Sequence, residues 1–385
     1  MGFFDWLSGL FGKNAPPKPK AVKKAGPKLG KVIKPGSGGG IDFAQIEAQA
    51  VAQAGPPATS AAAGPVLTEC RKLRGHKGWV SCLAVSPDGQ WLLSAGEDKT
   101  LRIWDLKHDV EMKTFSGHKE PINTVCWSPD GTRIASGGGL STDNVIRIWD
   151  VASGRELKQL VGHRNTVHAL TWTVDGKMLI SASGDRTIRM WEPNLGKALF
   201  NFRGKEAGDK TLYTGTKAHH EAVFGLAVLP DGKRAVSGSD DESVRLWNLE
   251  SCIEIRTLMG MQGKVRSVAS SPDGKTVLVG SLERKAEKSV TLFSTVNGMP
   301  IKVFTGHVGA VNSVAISPDG KLGLSGGDDK IVRLWDLAAG RELCSFHGHT
   351  YTVPAVAFTR DGNHAISASR DSTINIWPIP APGTL

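Results

Sequence analysis

A histidine followed eighteen residues later by a serine, with an aspartate in the next turn, is the set from which a nucleophilic hydrolase could be assembled. The sequence contains it six times: His76, Ser94 and Asp98; His118, Ser136 and Asp143; His163, Ser181 and Asp185; His219, Ser237 and Asp241; His307, Ser325 and Asp329; His349, Ser367 and Asp371. A catalytic triad is one geometry around one nucleophile. Six evenly spaced copies therefore assign these residues to structure, and no catalytic residue is expected among them. A tryptophan closes each set, at Trp104, Trp149, Trp191, Trp247, Trp335 and Trp377, which explains why 11 tryptophans accompany only 2 tyrosines. One further copy replaces the set at once, with Met261, Val279 and Phe293 in the places of His, Ser and Trp. Removing one partner would strand a buried polar group at roughly 1–3 kcal/mol, whereas replacing all of them with apolar groups can be nearly neutral. That copy is expected to hold an apolar plug.

The elements around these residues are short strands. The first copy alternates through Val80-Ser81-Cys82-Leu83-Ala84-Val85 and turns at Ser86-Pro87-Asp88-Gly89. It continues through Trp91-Leu92-Leu93-Ser94, turns again near Glu97-Asp98-Lys99, and runs through Leu101-Arg102-Ile103-Trp104-Asp105. Apolar alternation broken by Asp-Gly is a hairpin signal. Asp-Gly turns recur at 88–89, 130–131, 175–176, 231–232, 273–274, 319–320 and 361–362. The period of about 42 residues lies in the range of propeller blades. Each copy thus predicts four strands, a to d from the inside outward.

These residues resemble the WD-repeat family from residue 66 to 385. Gly-His pairs stand at 75–76, 117–118, 162–163, 306–307 and 348–349, with Ala218-His219 as a variant, and Asp follows Trp at 105, 150 and 336. The resemblance implies an all-β fold: a seven-bladed β-propeller of four-stranded antiparallel blades with a low-complexity N-terminal extension. It also implies that His, Ser, Asp and Trp form a hydrogen-bonded chain within each blade. Such buried networks are tolerated when every member is satisfied. The Ser-Pro-Asp-Gly turns are similar to those of bacterial WD-repeat proteins. The seventh copy ends at Trp377-Pro378 without an outer strand, and residues 67–73 resemble the outer strands of other copies. A strand over 66–74 is therefore expected to complete the last blade and leave no long open edge.

Because strands alternate, the d–a and b–c connections share one face and the tight a–b turns the other. The length irregularities, at 137–144, 204–218 and 282–288, all fall on the d–a/b–c face. Varied loops on a rigid scaffold are where binding resides. Trp79, Arg164, Tyr351, Arg370, Tyr213 and Arg284 are the leading partner-binding candidates, because Trp, Tyr and Arg are enriched at hot spots. Glu97, His220, Asp240, Asp328, Lys205, Lys210 and Lys285 share that face. For Trp79, a loop anchor covering apolar surface is an equal reading. The expected function is a scaffold binding peptides or protein domains, as a monomeric propeller within a larger complex. No metal-binding motif, phosphate loop or cofactor fingerprint is present, so no metal or cofactor is expected. A propeller-based enzyme is the alternative.

The net charge of +10 is largely local. Lys13, Lys18, Lys20, Lys23, Lys24, Lys28, Lys31 and Lys34 fall in one acid-free segment. Nonspecific nucleic-acid binding through this tail is disfavoured, because it has no interleaved aromatics for base stacking. If residues 2–12 are helical, Phe3, Phe4, Leu7, Leu10 and Phe11 share one face. An apolar tip followed by a polybasic linker (13–40) is the two-signal logic of attachment to an anionic membrane surface through residues 2–34; docking of the tip in a protein groove is the competing reading. A short helix over 42–54 and a linker over 55–65 complete the extension, residues 1–65. Five cysteines (70, 82, 126, 252 and 344) without CxxC spacing read as reduced thiols. The N-terminus resembles neither a secretory nor a myristoylation signal. The expected location is cytoplasmic, with peripheral membrane attachment through the tail.

Overall fold

In this computed structural model the described residues are 64–139, 142–202, 219–251, 253–261, 263–283 and 290–381. The expected helices at 2–12 and 42–54 lie outside them. Seven sheets, each with four antiparallel strands, follow one another along the chain. Blade 1 is Val80–Val85, Trp91–Gly96, Thr100–Asp105 and Val110–Ser116; blades 2 to 6 repeat the plan and end with Arg341–Phe346. Blade 7 consists of Ala355–Phe358, His364–Ala368, Thr373–Pro378 and, as its outer strand, Arg71–Arg74, which pairs antiparallel through Leu73↔Ile374. Among the described residues there is no helix, hence none long and apolar enough to cross a membrane.

The expected single strand over 66–74 is two strands with different partners. Val66–Leu67 lies parallel on the outer edge of blade 6, pairing with Ser345 and Phe346. Backbone bonds from Ser345 N to Pro65 O (3.1 Å) and from His347 N to Leu67 O (2.9 Å) hold it there. The chain then crosses to blade 7. The seam between last and first blade is packed like an interior: Leu73, Ile374 and Ile376 share a core with Val80, Leu92 and Trp104.

The Asp-Gly turns explain the tight a–b connections. Asp88 accepts from the Gln90 N–H (3.1 Å), Ser86 Oγ accepts from the Trp91 N–H (2.9 Å), and Gly89 adopts φ +77°. The side chains thus satisfy backbone donors while glycine takes the left-handed position at little cost.

Close blade stacking demands small residues after each network serine. At Gly238 an added Cβ would lie 2.2 Å from Val265 Cγ1 of the next blade.

The innermost strands carry a further feature. In six blades the a–b register slips by one residue, between Val80 and Cys82, Ile122 and Thr124, Val167 and Ala169, Val223 and Gly225, Val265 and Ser267, and Val311 and Ser313. A β-bulge re-aims the extra side chain and steepens the local twist. The extra residues are Ser81, Asn123, His168, Phe224, Arg266 and Asn312. The seventh equivalent, Pro354, has no N–H to give to a ladder and lies just before its strand.

Candidate protein-binding face and channel mouth

The repeated polar residues meet as one chain of hydrogen bonds in six blades. Histidine Nε2 lies 2.6–2.8 Å from serine Oγ. Tryptophan Nε1 donates to the same oxygen at 2.7–2.9 Å. Histidine Nδ1 lies 2.8–3.1 Å from the aspartate. The donors fix the tautomer. The aspartate can only accept, so it takes the Nδ1 proton; Nε2 of the neutral ring then accepts from the serine hydroxyl, whose oxygen accepts from tryptophan. Burial, the larger cause, pushes the His118 pKa down to about 4 against the opposing pull of Asp143, and lowers those of His163 and His219 as well. For Asp98, burial alone would raise the pKa, but the hydrogen bonds from His76, the Lys77 N–H and Thr100 together hold it well below the usual carboxylate range. Asp185, Asp241 and Asp371 are held low in the same way.

Sequence reading missed the outer half of this network. Arginine two residues before the tryptophan reaches the same aspartate: Arg102 to Asp98 at 3.4 Å, Arg147 to Asp143 at 3.0 Å, Arg245 to Asp241 at 3.6 Å and Arg333 to Asp329 at 3.6 Å. Each also pairs with an outer-strand glutamate, Glu111, Glu156, Glu254 or Glu342, at 2.6–3.2 Å. The recurrence of Arg at that position was the available signal. In blade 5, Phe293 and Val279 are fully buried in an apolar cluster against which Met261 packs.

The d–a/b–c face is built on these networks. Each network aspartate also caps the residue after its histidine, as in the Arg164 N–H to Asp185 bond of 3.0 Å. In blade 1, Glu97 clamps the neighbouring loop. Its carboxylate accepts from Trp79 N (3.2 Å), and its own N–H donates to Trp79 O (2.8 Å). Trp79 as a whole is 45% exposed. Arg370 of blade 7 lies over it, 4.7 Å from the ring centroid. Tyr351, 60% exposed, has the Lys330 ammonium 6.0 Å from its ring. Arg164, His220 and Asp328 are exposed as well, and Asp240 is half-buried. In the blade 2 insertion, Glu120 accepts from Thr142 Oγ1 at 2.7 Å. Tyr213, Arg284, Lys205, Lys210 and Lys285 lie outside the described residues.

At the centre of this face is the channel mouth, another feature not nominated from sequence. The bulged residues and their neighbours line a channel of about 240 Å³. Its occupancy is lopsided. Blades 6, 7, 1 and 2 contribute Asn312, Pro354, Ser81 and Asn123, whereas blades 3, 4 and 5 contribute the large His168, Phe224 and Arg266. His168 stacks on Phe224 with ring centroids 4.1 Å apart and planes 27° apart. The Arg266 guanidinium carbon lies 4.2 Å from the Phe224 centroid. Asp240 faces Lys264 at 3.3 Å and Arg266 at 3.6 Å. Burial first, and then the Arg266 charge, pushes the His168 pKa down to about 4, so this ring is neutral near pH 7. Among the described residues no group of three His, Cys, Asp or Glu could hold a metal ion.

Comparison with known proteins agrees with this architecture. The family described as WD domain, G-beta repeat matches residues 67–105, 110–150, 154–192, 210–248, 252–287, 298–336 and 340–378, one match per blade. The chain is 25% identical over 219 residues to the guanine nucleotide-binding protein subunit beta of Oryza sativa subsp. japonica, covering 55% of each chain. It is 26% identical over 217 residues to the angio-associated migratory cell protein of Homo sapiens, covering 55% of this chain and 45% of that one. It is 29% identical over 223 residues to the nuclear distribution protein PAC1 of Coccidioides posadasii, covering 54% and 38%. The chain thus spans about half or less of the length of these relatives. With a match in every blade and the repeat network in six of them, the chain belongs to the WD domain, G-beta repeat family.

Proposed function

We propose that the chain is a protein-interaction scaffold that holds a peptide or domain of a partner on the d–a/b–c face. The observation that carries this reading is the half-exposed Trp79 with Arg370 over its ring. Its backbone is fixed by Glu97, so little ordering cost remains to be met on binding. Aromatic and arginine side chains held this way are what hot spots are made of. Tyr351 with Lys330 extends the patch across blades 6, 7 and 1. Relatives bearing names such as guanine nucleotide-binding protein subunit beta support a role in assemblies rather than in catalysis. The experiment is a photo-crosslinker placed at Lys330 or Ser372 on this face, and at Val174 or Leu195 on the opposite face, in the full chain in its native cells. Discrete adducts from the first pair alone support the reading. Adducts from the second pair alone, or from neither, refute it.

The N-terminal segment would add recruitment. An aromatic tip followed by eight lysines supports attachment of a cytoplasmic scaffold to an anionic membrane surface. Flotation of the full chain with anionic vesicles, lost when the eight lysines are changed to glutamine, would support it. Equal flotation of both chains, or none by either, would refute it.

A further inference from the structure

The channel mouth departs from sevenfold repetition in one sector only. Its lining residues occupy the same bulged position in each blade, and the bulge throws each side chain out of the strand's alternation. Had the position served ring packing alone, it would suit small groups throughout, as in Ser81, Asn123 and Asn312. Blades 3 to 5 instead build a stack, His168 on Phe224 with Arg266 4.2 Å from the Phe224 ring. The Phe224 ring supports the guanidinium, and Asp240 pairs with the same group at 3.6 Å. Two cations, Arg266 and Lys264, share the single carboxylate of Asp240. His168 adds no charge near neutral pH, and Ser81, Asn123 and Asn312 are neutral. In this sector two cations therefore face one carboxylate, while Asp328 lies against Asn312 (2.8 Å) in blade 6, and the open polar channel of about 240 Å³ beside them has room for one side chain and not for a folded element.

We infer that the channel mouth receives an acidic side chain of a bound polypeptide, its carboxylate taken by the Arg266 guanidinium and the Lys264 ammonium beside it. This rests on the reading of the face as a protein-binding surface and specifies what the partner must carry. A carboxylate fits the planar fork of arginine better than any neutral group. Arg266 is only one-quarter exposed, so the pairing would be screened less than a rim contact. The partner's backbone would cross the face from the Trp79 patch to the mouth, and the acidic residue would set its register. Asp240 is a positioning residue in this arrangement, since it aligns the two cations without meeting the ligand.

The test uses the full chain with labelled histidine rings and three blocked tripeptides, Ala-Glu-Ala, Ala-Gln-Ala and Ala-Lys-Ala. The Glu peptide should move the His168 ring signals saturably. The Gln peptide should bind at least about tenfold more weakly, the loss expected for a hydrogen bond to a charged group. The Lys peptide should leave His168 unmoved. Arg266→Met should abolish the Glu response while the His163 and His219 signals keep their positions, reporting intact neighbouring networks. Should that variant disturb those signals, Arg266→Lys serves instead, and it should keep the preference for Glu over Gln with weaker binding. Equal responses to Glu and Gln, a response to Lys, no response to any peptide, or an unaltered Glu response in Arg266→Met would each overturn the inference. Because no natural partner is needed, failure here leaves the crosslinking result standing, and the converse holds.

Discussion

Ser181 Oγ lies 2.6 Å from His163 Nε2, and the same oxygen accepts the Trp191 indole proton at 2.8 Å. One hydroxyl thus ties the innermost hairpin of a blade to its third strand and to the loop that carries the binding face. Ser181→Ala leaves two buried groups unmet and should cost about 1–3 kcal/mol per stranded partner. Denaturant titration of the variant checks this; a loss near zero would mean that the network contributes no stability.

The converse change belongs to blade 5. Val279 is fully buried among apolar neighbours. Val279→Ser places a hydroxyl where neither histidine nor tryptophan waits for it, although the residue now matches six other blades. It should destabilise by about 1–3 kcal/mol. A stabilised variant in thermal unfolding would contradict the account of the apolar plug.

Acid should weaken the propeller before its carboxylates titrate. An unfolded histidine takes up a proton near pH 6.5, whereas His118 resists down to about 4 and His163 and His219 are also lowered. The unfolded chain therefore binds more protons between these values, and stability must fall as pH drops below about 6.5. His118 alone corresponds to roughly 3 kcal/mol across that span. The depressed Asp98, Asp185, Asp241 and Asp371 work in the same direction, their contribution being lost at still lower pH as they protonate in the folded state. Denaturation midpoints should hold nearly level from pH 8 to about 7 and decline from about 6.5 to 5; a flat or rising profile across the lower span would contradict buried neutral imidazoles.

Ring closure predicts equivalence between sites far apart in sequence. Leu73 in the closing strand and Leu258 in the outer strand of blade 4 are each 2% exposed. Leu73→Ala and Leu258→Ala should each cost about 2–5 kcal/mol, the usual range for a buried leucine. A negligible cost at Leu73 alone would mean that Arg71–Arg74 is not integral to blade 7.

Much of the propeller was legible because each blade repeats the same local consistency. Asp-Gly turns, apolar alternation and a tryptophan in register all point to one arrangement, and six copies exclude coincidence. The bulged residues were not legible. A period-2 reading assigns Ser81 or His168 simply to one face of a strand, and nothing local announces the extra residue. Arg102 and its equivalents read as solvent-facing charges until Glu111 and Asp98 are brought beside them. The parallel pairing of Val66–Leu67 with blade 6 spans the whole repeat array and rests on two residues, too little for any sequence pattern. The d–a/b–c face drew attention in the sequence through its irregular loop lengths, while the channel mouth stayed hidden because its residue types vary at a position of constant spacing.

The central claim is that the face bearing Trp79 holds a protein partner, and equilibrium binding of the crosslinked partner tests it most directly. The measurement compares the native chain with Trp79→Ala, Arg370→Glu and Leu195→Ala, the last on the opposite face. Loss of a hot-spot side chain typically costs about 2 kcal/mol or more, so Trp79→Ala should weaken binding roughly thirtyfold. Arg370→Glu should weaken it at least as much, and Leu195→Ala should leave it unchanged, with all variants unfolding as the native chain does. Undiminished binding by Trp79→Ala and Arg370→Glu, or a loss confined to Leu195→Ala, would contradict the account.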